Sequence, residues 1–405
     1  MNPLIMSAVK DFHLFNFNGK KGLRLPSTLL VRMHELEPLS KRKIILLATA
    51  TIHNDSLFVN GLFQNVFILY KLFDSMGYAP ILLVNEKPKD IEKVPSILRK
   101  TRMITVEELV RSSIPVFLQI EIAMSVDTGT RKRIRLNGAK VVKLYLGNIF
   151  NIDIETPMFY PTIHFAHHVI GEIDEIWVSP HYQQHYEYAG LINQVEPAKI
   201  VPYVWDPCIL TLDKARNFKW TPKAQGEGQT FVILEPNISF QKCSLVPLLI
   251  IEQWYRKTRC ECKVVLGNSE KLKENPFFTK TILPTLQLFK DSKIVFCGRH
   301  TITNIMENYP SAIAICHQWN NQYNYMTLEY LASGFPVIHN APDWSDGGYY
   351  YEGSNIEKGL AQLEKAMEFH ESTMETYMSG AAVVQWRHSP YNPEVQKAWK
   401  EFLKV

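Results

Sequence analysis

The sequence predicts an α/β protein built from two doubly wound domains, each with a parallel sheet. Short apolar runs alternate with amphipathic segments, the alternation stops in a polar stretch near the middle of the chain, and it then starts again. Continuous apolar runs are typical of buried parallel strands, and the segments between them have helical periodicity. A length of 405 residues is sufficient for two such domains.

The first series of elements covers residues 43–211 and follows an N-terminal extension of weak periodicity at 1–42. Its first helix is expected to end at Gly77, since glycine commonly terminates helices. Alternation of strands with helices predicts right-handed crossovers and a parallel sheet. We expect strands at residues 43–50, 79–86, 114–123, 139–148 and 174–180, and helices at 62–76, 107–113 and 127–138.

A polar stretch at 212–228 is predicted to be a linker, and the second domain covers residues 229–385. The last segment, 386–405, contains a further amphipathic helix. We expect strands of the second domain at residues 229–237, 262–268, 292–299, 311–318 and 335–342, and helices at 242–257, 278–289, 301–309 and 325–334. Two more amphipathic segments follow at 355–379 and 392–404.

Composition excludes several classes of protein. A net charge of +4, from 44 basic and 40 acidic residues, is too small to gather nucleic acid by a general electrostatic field. No apolar run is long enough for a membrane-spanning helix, and the first residues lack the pattern of a secretory signal. The six cysteines do not have the spacing of a zinc site. With the other features, this leads us to expect a cytoplasmic protein that needs neither a metal nor another cofactor.

Two charged clusters have an ordinary interpretation. The histidines of HFAHH, 164–168, have no acidic partner at a known metal spacing, so a metal site is the less favoured interpretation. The basic run RKRIR, 131–135, is interpreted as a solvated helix face, with an acidic partner as the alternative.

Polar residues that follow the strands are the candidates for a site, because ligands bind beyond the carboxyl ends of parallel strands. After the first strand, Gly61 allows close backbone approach at a helix start that can attract an anion, with simple helix capping by Asn60 as the alternative. After the strand at 139–148, Asp153 is a candidate base for an acceptor hydroxyl, and a turn stabilised by its polar side chains is the alternative.

The segment EPNISFQK, 235–242, opens the second domain's first loop. Asn237 is a predicted binding residue, and both Asn237 and Ser239 can cap the next helix. Lys242 would lie in the first turn of that helix, where a cation is unfavourable unless an anion such as a diphosphate is bound. A lysine that points to solvent is the alternative.

A second polar loop leads into the helix at 325–334, and its predicted binding residues are His317, Asn321, Asn324, Tyr325 and Glu329. Asn321 is also predicted to be catalytic, together with Asp153 and Lys242. A carboxylate one turn into the helix can accept hydrogen bonds from both hydroxyls of a ribose. An exposed helix glutamate is the alternative interpretation of Glu329. The glycine-rich loop at 343–353 is either a plain turn or a lining for a sugar.

The stretch LEYLASGFPVIHN, 328–340, resembles the element "LEAmA.G.PVva" of retaining GT-B glycosyltransferases. The segments at 174–191 and 198–207 are similar to the end of the N-terminal domain in those enzymes, EPNISFQK resembles their diphosphate-binding segment, and IVFCGR, 294–299, resembles a strand near the base. A closer likeness, to a glycosyltransferase-like family of unknown function, covers residues 43–380. It is carried by NGLFQN, LGNIFNIDIE, EPNISFQK, HQWNN and NYMTLEYLASGFPVIHN.

The resemblance assigns roles to individual residues. It implies that Glu329 binds the donor ribose, that Lys242 binds the diphosphate, and that Gly298 and Arg299 lie near the base. Asn321 replaces the first glutamate of the paired-glutamate motif, eight positions before Glu329. An amide can still form a hydrogen bond with a sugar hydroxyl, but it has no charge.

Taken as a whole, the resemblance implies two Rossmann-like domains that face a central cleft, with the helix of 386–405 packed back on the first domain. It implies transfer of a hexosyl or deoxyhexosyl group from a nucleotide-diphosphate sugar to a glycan, glycoprotein or other hydroxyl acceptor, with retention and without a metal. The alternatives are a nucleotide-sugar 2-epimerase, a catalytically silent nucleotide-sugar-binding protein, and a glucosyltransferase of nucleic acid bases, against which the modest charge argues.

Overall fold

The computed structural model describes residues 14–17, 20–23, 41–52, 61–90, 92, 94, 98–159, 168–211, 218–321 and 323–404. Several predicted features lie outside these residues: Asn60, His164, His167, positions 212–217 of the linker, and most of the N-terminal extension. The described part of that extension is a two-stranded antiparallel ribbon, β1 Leu14–Phe17 and β2 Lys20–Leu23, where an irregular segment was expected.

The N-terminal half of the molecule, residues 41–211, contains a seven-stranded parallel sheet in the order β5-β4-β3-β6-β7-β8-β9. Its strands are β3 Ile44–Ala48, β4 Ala79–Val84, β5 Met103–Thr105, β6 Val116–Glu121, β7 Lys140–Tyr145, β8 Glu175–Val178 and β9 Lys199–Ile200. Its helices are α1 Gly61–Ser75, α2 Val106–Arg111, α3 Thr128–Leu136, α4 Ile149–Phe159 and α5 Tyr186–Ile192. The strand order reverses between β3 and β6.

The C-terminal half, residues 218–388, contains a six-stranded parallel sheet in the order β12-β11-β10-β13-β14-β15. Its strands are β10 Gln229–Ile233, β11 Cys262–Leu266, β12 Ile294–Phe296, β13 Ile313–Ile315, β14 Val337–His339 and β15 Tyr349–Tyr350. Its helices are α6 Leu245–Thr258, α7 Glu270–Glu274, α8 Gln287–Lys290, α9 Ile302–Asn308, α10 Tyr325–Ala332, α11 Ile356–Phe369 and α12 Met374–His388. This order reverses between β10 and β13.

The apolar patterns explain the strands. Ile45, Leu46 and Leu47 of β3 are fully buried, as are Phe231 and Ile233 of β10, because these strands lie near the middle of their sheets. A continuous core cluster extends from the N-terminal sheet through Tyr203 and Trp205 to the C-terminal sheet. A second cluster covers the opposite face of the N-terminal sheet.

Two predicted helices differ from the structure, and one alternative interpretation is wrong. The segment after Asn148, for which a turn was the alternative, is helix α4, and the side chain of Asn148 accepts the Asn151 N–H at 3.1 Å at its start. The helix predicted at 278–289 is divided into a π-helix, Phe278–Ile282, a 3-10 turn, Leu283–Thr285, and α8, and the 3-10 turn contains Pro284, which cannot donate a backbone hydrogen bond. Lys242 ends the 3-10 turn Phe240–Lys242, before α6 begins.

The last helix, α13 Pro393–Phe402, crosses back to the N-terminal half. The Trp399 ring lies 5.5 Å from the Phe73 ring of α1 and 5.8 Å from the Trp177 ring of β8, both measured between ring centroids. Trp399 is 1% exposed, so this helix completes part of the core of the N-terminal half. Among the residues that the structure describes, no helix is long and apolar enough to cross a membrane.

Candidate functional site

A cavity of about 440 Å³ lies between the two sheets, and both halves of the molecule line it. The residues come from beyond β3, β6 and β7 on one side and from beyond β10, β11, β12 and β13 on the other. These positions include the carboxyl ends of the strands at both reversals of strand order, where open parallel sheets bind ligands. We call this cavity the crevice.

Six of the residues predicted from the sequence line the crevice. The N-terminal half contributes Gly61, and the C-terminal half contributes Lys242, Arg299, Asn324, Tyr325 and Glu329. The crevice therefore brings together residues that are far apart in the sequence. It holds two cationic side chains and one carboxyl group on the C-terminal side.

Glu329 is held in place by a contact between the two halves. Asn324 caps α10 by accepting the Met326 N–H at 3.2 Å, and Glu329 follows within that helix. Oε1 of Glu329 accepts a hydrogen bond of 2.7 Å from Nε2 of Gln64 on α1. Burial raises the pKa of Glu329 to about 7, against the lowering effect of that hydrogen bond. Glu329 is 3% exposed, so its interpretation as an exposed helix glutamate is wrong.

Lys242 lies in a loop whose conformation is fixed by hydrogen bonds within the loop. Asn237 has a φ of 54°, a left-handed conformation that asparagine tolerates, and its backbone N–H donates to the Lys242 carbonyl at 3.1 Å. The Asn237 side chain also accepts the Ser244 N–H at 2.9 Å. Burial lowers the pKa of Lys242, and the Glu235 carboxyl partly offsets this. Asn237 therefore shapes the loop and does not line the crevice.

A buried hydrogen-bond network lies behind the crevice and uses two of the predicted binding residues. Glu235 accepts the His317 N–H at 3.1 Å and Nε2 of Gln318 at 2.7 Å. Oε1 of Gln318 accepts Nδ2 of Asn321 at 3.0 Å, and Oδ1 of Asn321 accepts the Tyr182 hydroxyl at 2.7 Å. Burial raises the pKa of Glu235 to about 7. Asn321 thus joins the two halves of the molecule and is not among the residues that line the crevice.

The side chain of His317 is held by contacts with other residues of the protein. Its Nδ1 is 2.7 Å from the Tyr351 hydroxyl and its Nε2 is 3.2 Å from Oγ of Ser354. The imidazole is 2% exposed, and burial lowers its pKa to about 4. Both ring nitrogens are therefore used within the protein, and His317 does not line the crevice.

Gly61 faces a side chain rather than an open space. A Cβ atom at this position would lie 2.4 Å from Cδ2 and 2.5 Å from Cε2 of Tyr325. Glycine therefore lets α1 of one half approach α10 of the other half. Gly298 similarly faces a side chain, since a Cβ there would lie 2.4 Å from Oε1 of Glu270. Arg299, the next residue, is exposed and lines the crevice.

Asp153 does not lie where a base for an acceptor would be needed. It is on α4, where it accepts a hydrogen bond from the Tyr188 hydroxyl and lies 2.8 Å from Nε2 of His168. Because the segment forms a helix, the side chain points into this cluster and is not among the residues that line the crevice. The structure gives its predicted catalytic role no support.

Sequence reasoning missed a lysine inside the crevice. Lys143 is on β7, is 6% exposed and lines the crevice from the N-terminal side. Burial lowers its pKa to about 8. Its neighbour Arg131, expected on a solvated face, is 5% exposed and its Nε is 2.9 Å from Oε1 of Glu121. A lysine within an apolar run predicted to be a buried strand was the available signal.

The crevice can neutralise an anion and accept hydroxyl donors. Among the described residues, three cationic side chains, Lys143, Lys242 and Arg299, line it beside one carboxyl group, that of Glu329. In the described part of the chain, no group of three or more histidine, cysteine or acidic residues could hold a metal ion. The arrangement is suited to a ligand that has both a phosphate group and hydroxyls.

Several solved structures have the same fold. A glycosyltransferase from Rickettsia africae matches with a TM-score of 0.55 and 12% identity, over 90% of this chain and 99% of that one. The trehalose-6-phosphate synthase OtsA matches with a TM-score of 0.57 and 8% identity, over 89% and 99%. The Anabaena protein HepE, solved in complex with UDP-glucose, matches with a TM-score of 0.52 and 10% identity, over 88% and 99%.

These matches confirm the predicted resemblance to glycosyltransferases of the GT-B type. At such low identity they show the fold alone. No curated protein matches the sequence. The family model described as "Protein of unknown function (DUF2827)" matches residues 46–403, which is most of the chain. The chain is therefore a member of this family.

Proposed function

We propose that this protein is a glycosyltransferase that moves a sugar from a nucleotide-diphosphate-sugar donor, bound in the crevice, to a hydroxyl group of an acceptor. In this proposal residues 43–211 and 229–385 are two Rossmann-like domains that face the crevice. Residues 212–228 are the linker between them, and 386–405 pack back on the first domain. The donor binds mainly to the C-terminal domain and the acceptor enters from the N-terminal domain.

The observation that carries the proposal is the position of Lys242, Arg299 and Glu329 on one wall of a single crevice. The proposed contacts are Glu329 with the ribose hydroxyls, Lys242 with the diphosphate and Arg299 near the base. Glu329 has one oxygen bonded to Gln64, which leaves Oε2 for a ribose hydroxyl. HepE, which shares the fold, was solved with UDP-glucose.

The proposed chemistry needs charge stabilisation more than a strong base. Glycosyl transfer passes through an oxocarbenium-like state while negative charge grows on the leaving diphosphate. Lys242 would stabilise that charge, so the proposed reaction is metal-independent, and we propose that it retains the anomeric configuration. Asn321 and Asp153 are left out of the proposed contacts, because each is held by partners within the protein.

A thermal-shift screen with UDP, GDP, ADP and their sugars is the first test, since a ligand that binds only the folded state raises the melting temperature. Calorimetry then compares Lys242→Ala and Glu329→Gln with Lys280→Ala, which removes an exposed lysine that does not line the crevice. Loss of a hydrogen bond to a charged group predicts roughly ten- to hundredfold weaker donor binding in the two crevice variants and no change in the control.

Product analysis separates transfer from the alternatives. A new glycosidic bond to an acceptor supports the proposal, whereas an altered sugar with no new bond indicates an epimerase. Binding of a donor without turnover indicates a silent binding protein, which the neutral Asn321 at the motif's first position would favour. Donor binding that is equal in all three variants would show that the site is assigned wrongly.

A further inference from the structure

Lys143 lies in an unusual position for a charged residue. It is the fourth residue of the six in β7, and in the sheet register it is directly opposite Glu121 at the end of β6. Its side chain is almost fully buried yet forms part of the crevice wall. Because both strands belong to the middle of the N-terminal sheet, this ammonium group has a fixed location.

The Glu121 carboxylate opposite Lys143 already accepts hydrogen bonds from other residues. Oε1 of Glu121 accepts Nε of Arg131 at 2.9 Å, Nε2 of Gln119 at 3.2 Å and the Val126 N–H at 3.2 Å. Its Oε2 lies 3.4 Å from the second guanidinium nitrogen of Arg131. Within the described residues no ion pair joins Glu121 to Lys143.

In the part of the chain that the structure describes, the ammonium group of Lys143 therefore has only neutral hydrogen-bond acceptors. Nζ donates to the Ile122 carbonyl at 3.4 Å and to Oγ of Ser125 at 3.2 Å, and both of these bonds are long. Arg131 and Lys143 together carry two positive charges against the single negative charge of Glu121. One positive charge is thus left over in a buried location beside the crevice.

An excess buried charge is unfavourable unless a ligand of opposite sign accompanies it. Burial is the main reason that the pKa of Lys143 falls to about 8, and Arg131 lowers it further while Glu121 raises it. An anionic group placed against Nζ would compensate the charge and supply a short, charge-assisted hydrogen bond. The crevice, which Lys143 lines, has room for that group.

We infer that the N-terminal side of the crevice binds an acidic group on the acceptor, a carboxylate or a phosphate, through Lys143. The inference rests on the proposed function for its assignment of this side to the acceptor. The donor diphosphate has Lys242 and Arg299 on the opposite wall. Lys143 then selects acidic sugars over neutral ones.

The test is calorimetry on the full chain saturated with the nucleoside diphosphate that the screen identifies. The probes are glucose, glucuronate and glucose 6-phosphate, so that the carboxylate and the phosphate are each compared with a neutral sugar. The variants are Lys143→Met, Lys143→Arg and the matched control Lys132→Met, which removes an exposed lysine from the neighbouring helix α3. Melting temperatures show whether each variant is folded.

We expect the wild-type protein to bind at least one acidic sugar about tenfold or more tightly than glucose, and Lys143→Met to remove that preference. Lys143→Arg should retain part of the preference because it keeps the charge, and Lys132→Met should keep all of it. Nucleoside diphosphate affinity should be the same in every variant.

Two results would overturn the inference while leaving the proposed function intact. The first is a wild-type protein that binds nucleoside diphosphate but has no preference for either acidic sugar. The second is a Lys143→Met variant that keeps the preference or that loses nucleoside diphosphate affinity instead, which would place the lysine against the donor. If the wild-type protein binds no nucleotide at all, the proposed function itself fails.

Discussion

The two walls of the crevice take their charged groups from different parts of the chain. On the C-terminal side, Lys242, Arg299 and Glu329 come from a loop, a strand end and a helix that follow the strands. On the N-terminal side, Lys143 comes from within a strand, and Arg131 and Glu121 fix its surroundings. Hydrogen bonds within a loop fix Lys242 and a bond to Gln64 fixes Glu329, whereas the register of a central strand fixes Lys143. The two walls therefore hold their charged groups by different means.

The largest effect should come from breaking the support of the N-terminal half. Trp399→Ala removes a buried indole that contacts Phe73 and Trp177, so we expect a loss of about 3–5 kcal/mol in the unfolding free energy. Hydrogen exchange should show the loss in α1 and β8 and not in the C-terminal sheet. Phe369→Ala, a change at an exposed aromatic residue of α11, is the control. If Trp399→Ala and Phe369→Ala had the same hydrogen-exchange protection in every segment, the described packing of α13 would be contradicted.

A smaller effect should come from forcing the two walls apart. Gly61→Ala places a Cβ against the Tyr325 ring, and such overpacking costs about 1–3 kcal/mol. We expect weaker donor binding and a lower melting temperature. Tyr325→Ala alone and the double variant complete a double-mutant cycle.

In that cycle, Gly61→Ala should have little further effect once the ring is removed. Effects that simply add would show that the two residues are not in contact in the folded protein.

The smallest effect concerns the ionisation of Glu329. Its pKa is about 7 in the folded chain and 4.5 for the ordinary side chain, so the folded state binds the proton more tightly than the unfolded state. The unfolding free energy should therefore fall as the pH rises from about 4.5 to about 7 and be level on either side. Glu329→Gln removes this contribution, for which the shift from 4.5 to about 7 sets a limit of about 3 kcal/mol.

Denaturant unfolding of the wild type and Glu329→Gln at pH 5, 6, 7 and 8 measures the difference. The buried Glu235 carboxyl shifts in the same direction in both proteins, so it cancels in the comparison. Glu357→Gln changes an exposed residue of α11 and is the control. Its unfolding free energy should change with pH in the same way as that of the wild type. A difference between wild type and Glu329→Gln that stays constant across this range would refute the assignment.

The sequence was most informative where polar residues interrupt an alternating pattern. Lys242 and Glu329 were predicted because they stand in polar segments beyond strands, and both line the crevice. Lys143 was missed because it lies inside a strand, whereas ligands are expected beyond the carboxyl ends of strands. The parallel sheets could be predicted because their strands are continuous apolar runs.

Other residues depended on neighbours that the sequence does not reveal. Asp153 was expected to act as a base beyond a strand, but its segment forms α4 and directs the carboxylate toward Tyr188 and His168. His317 stands in the predicted loop, but Tyr351 and Ser354 take up both ring nitrogens. Such partners are set by tertiary packing, and Tyr188, Tyr351 and Ser354 lie more than thirty positions away in the chain.

The return of α13 to the N-terminal half affects the order in which the chain can fold during synthesis. Domains usually fold as they leave the ribosome, the earlier one first. Here Trp399 is part of the core around Phe73, so the N-terminal half lacks one of its own packing partners while residues 212–399 are still being translated. Completion of the earlier half therefore waits for the end of the later one, and a ribosome that stalls within the C-terminal half leaves an exposed apolar groove on the nascent protein.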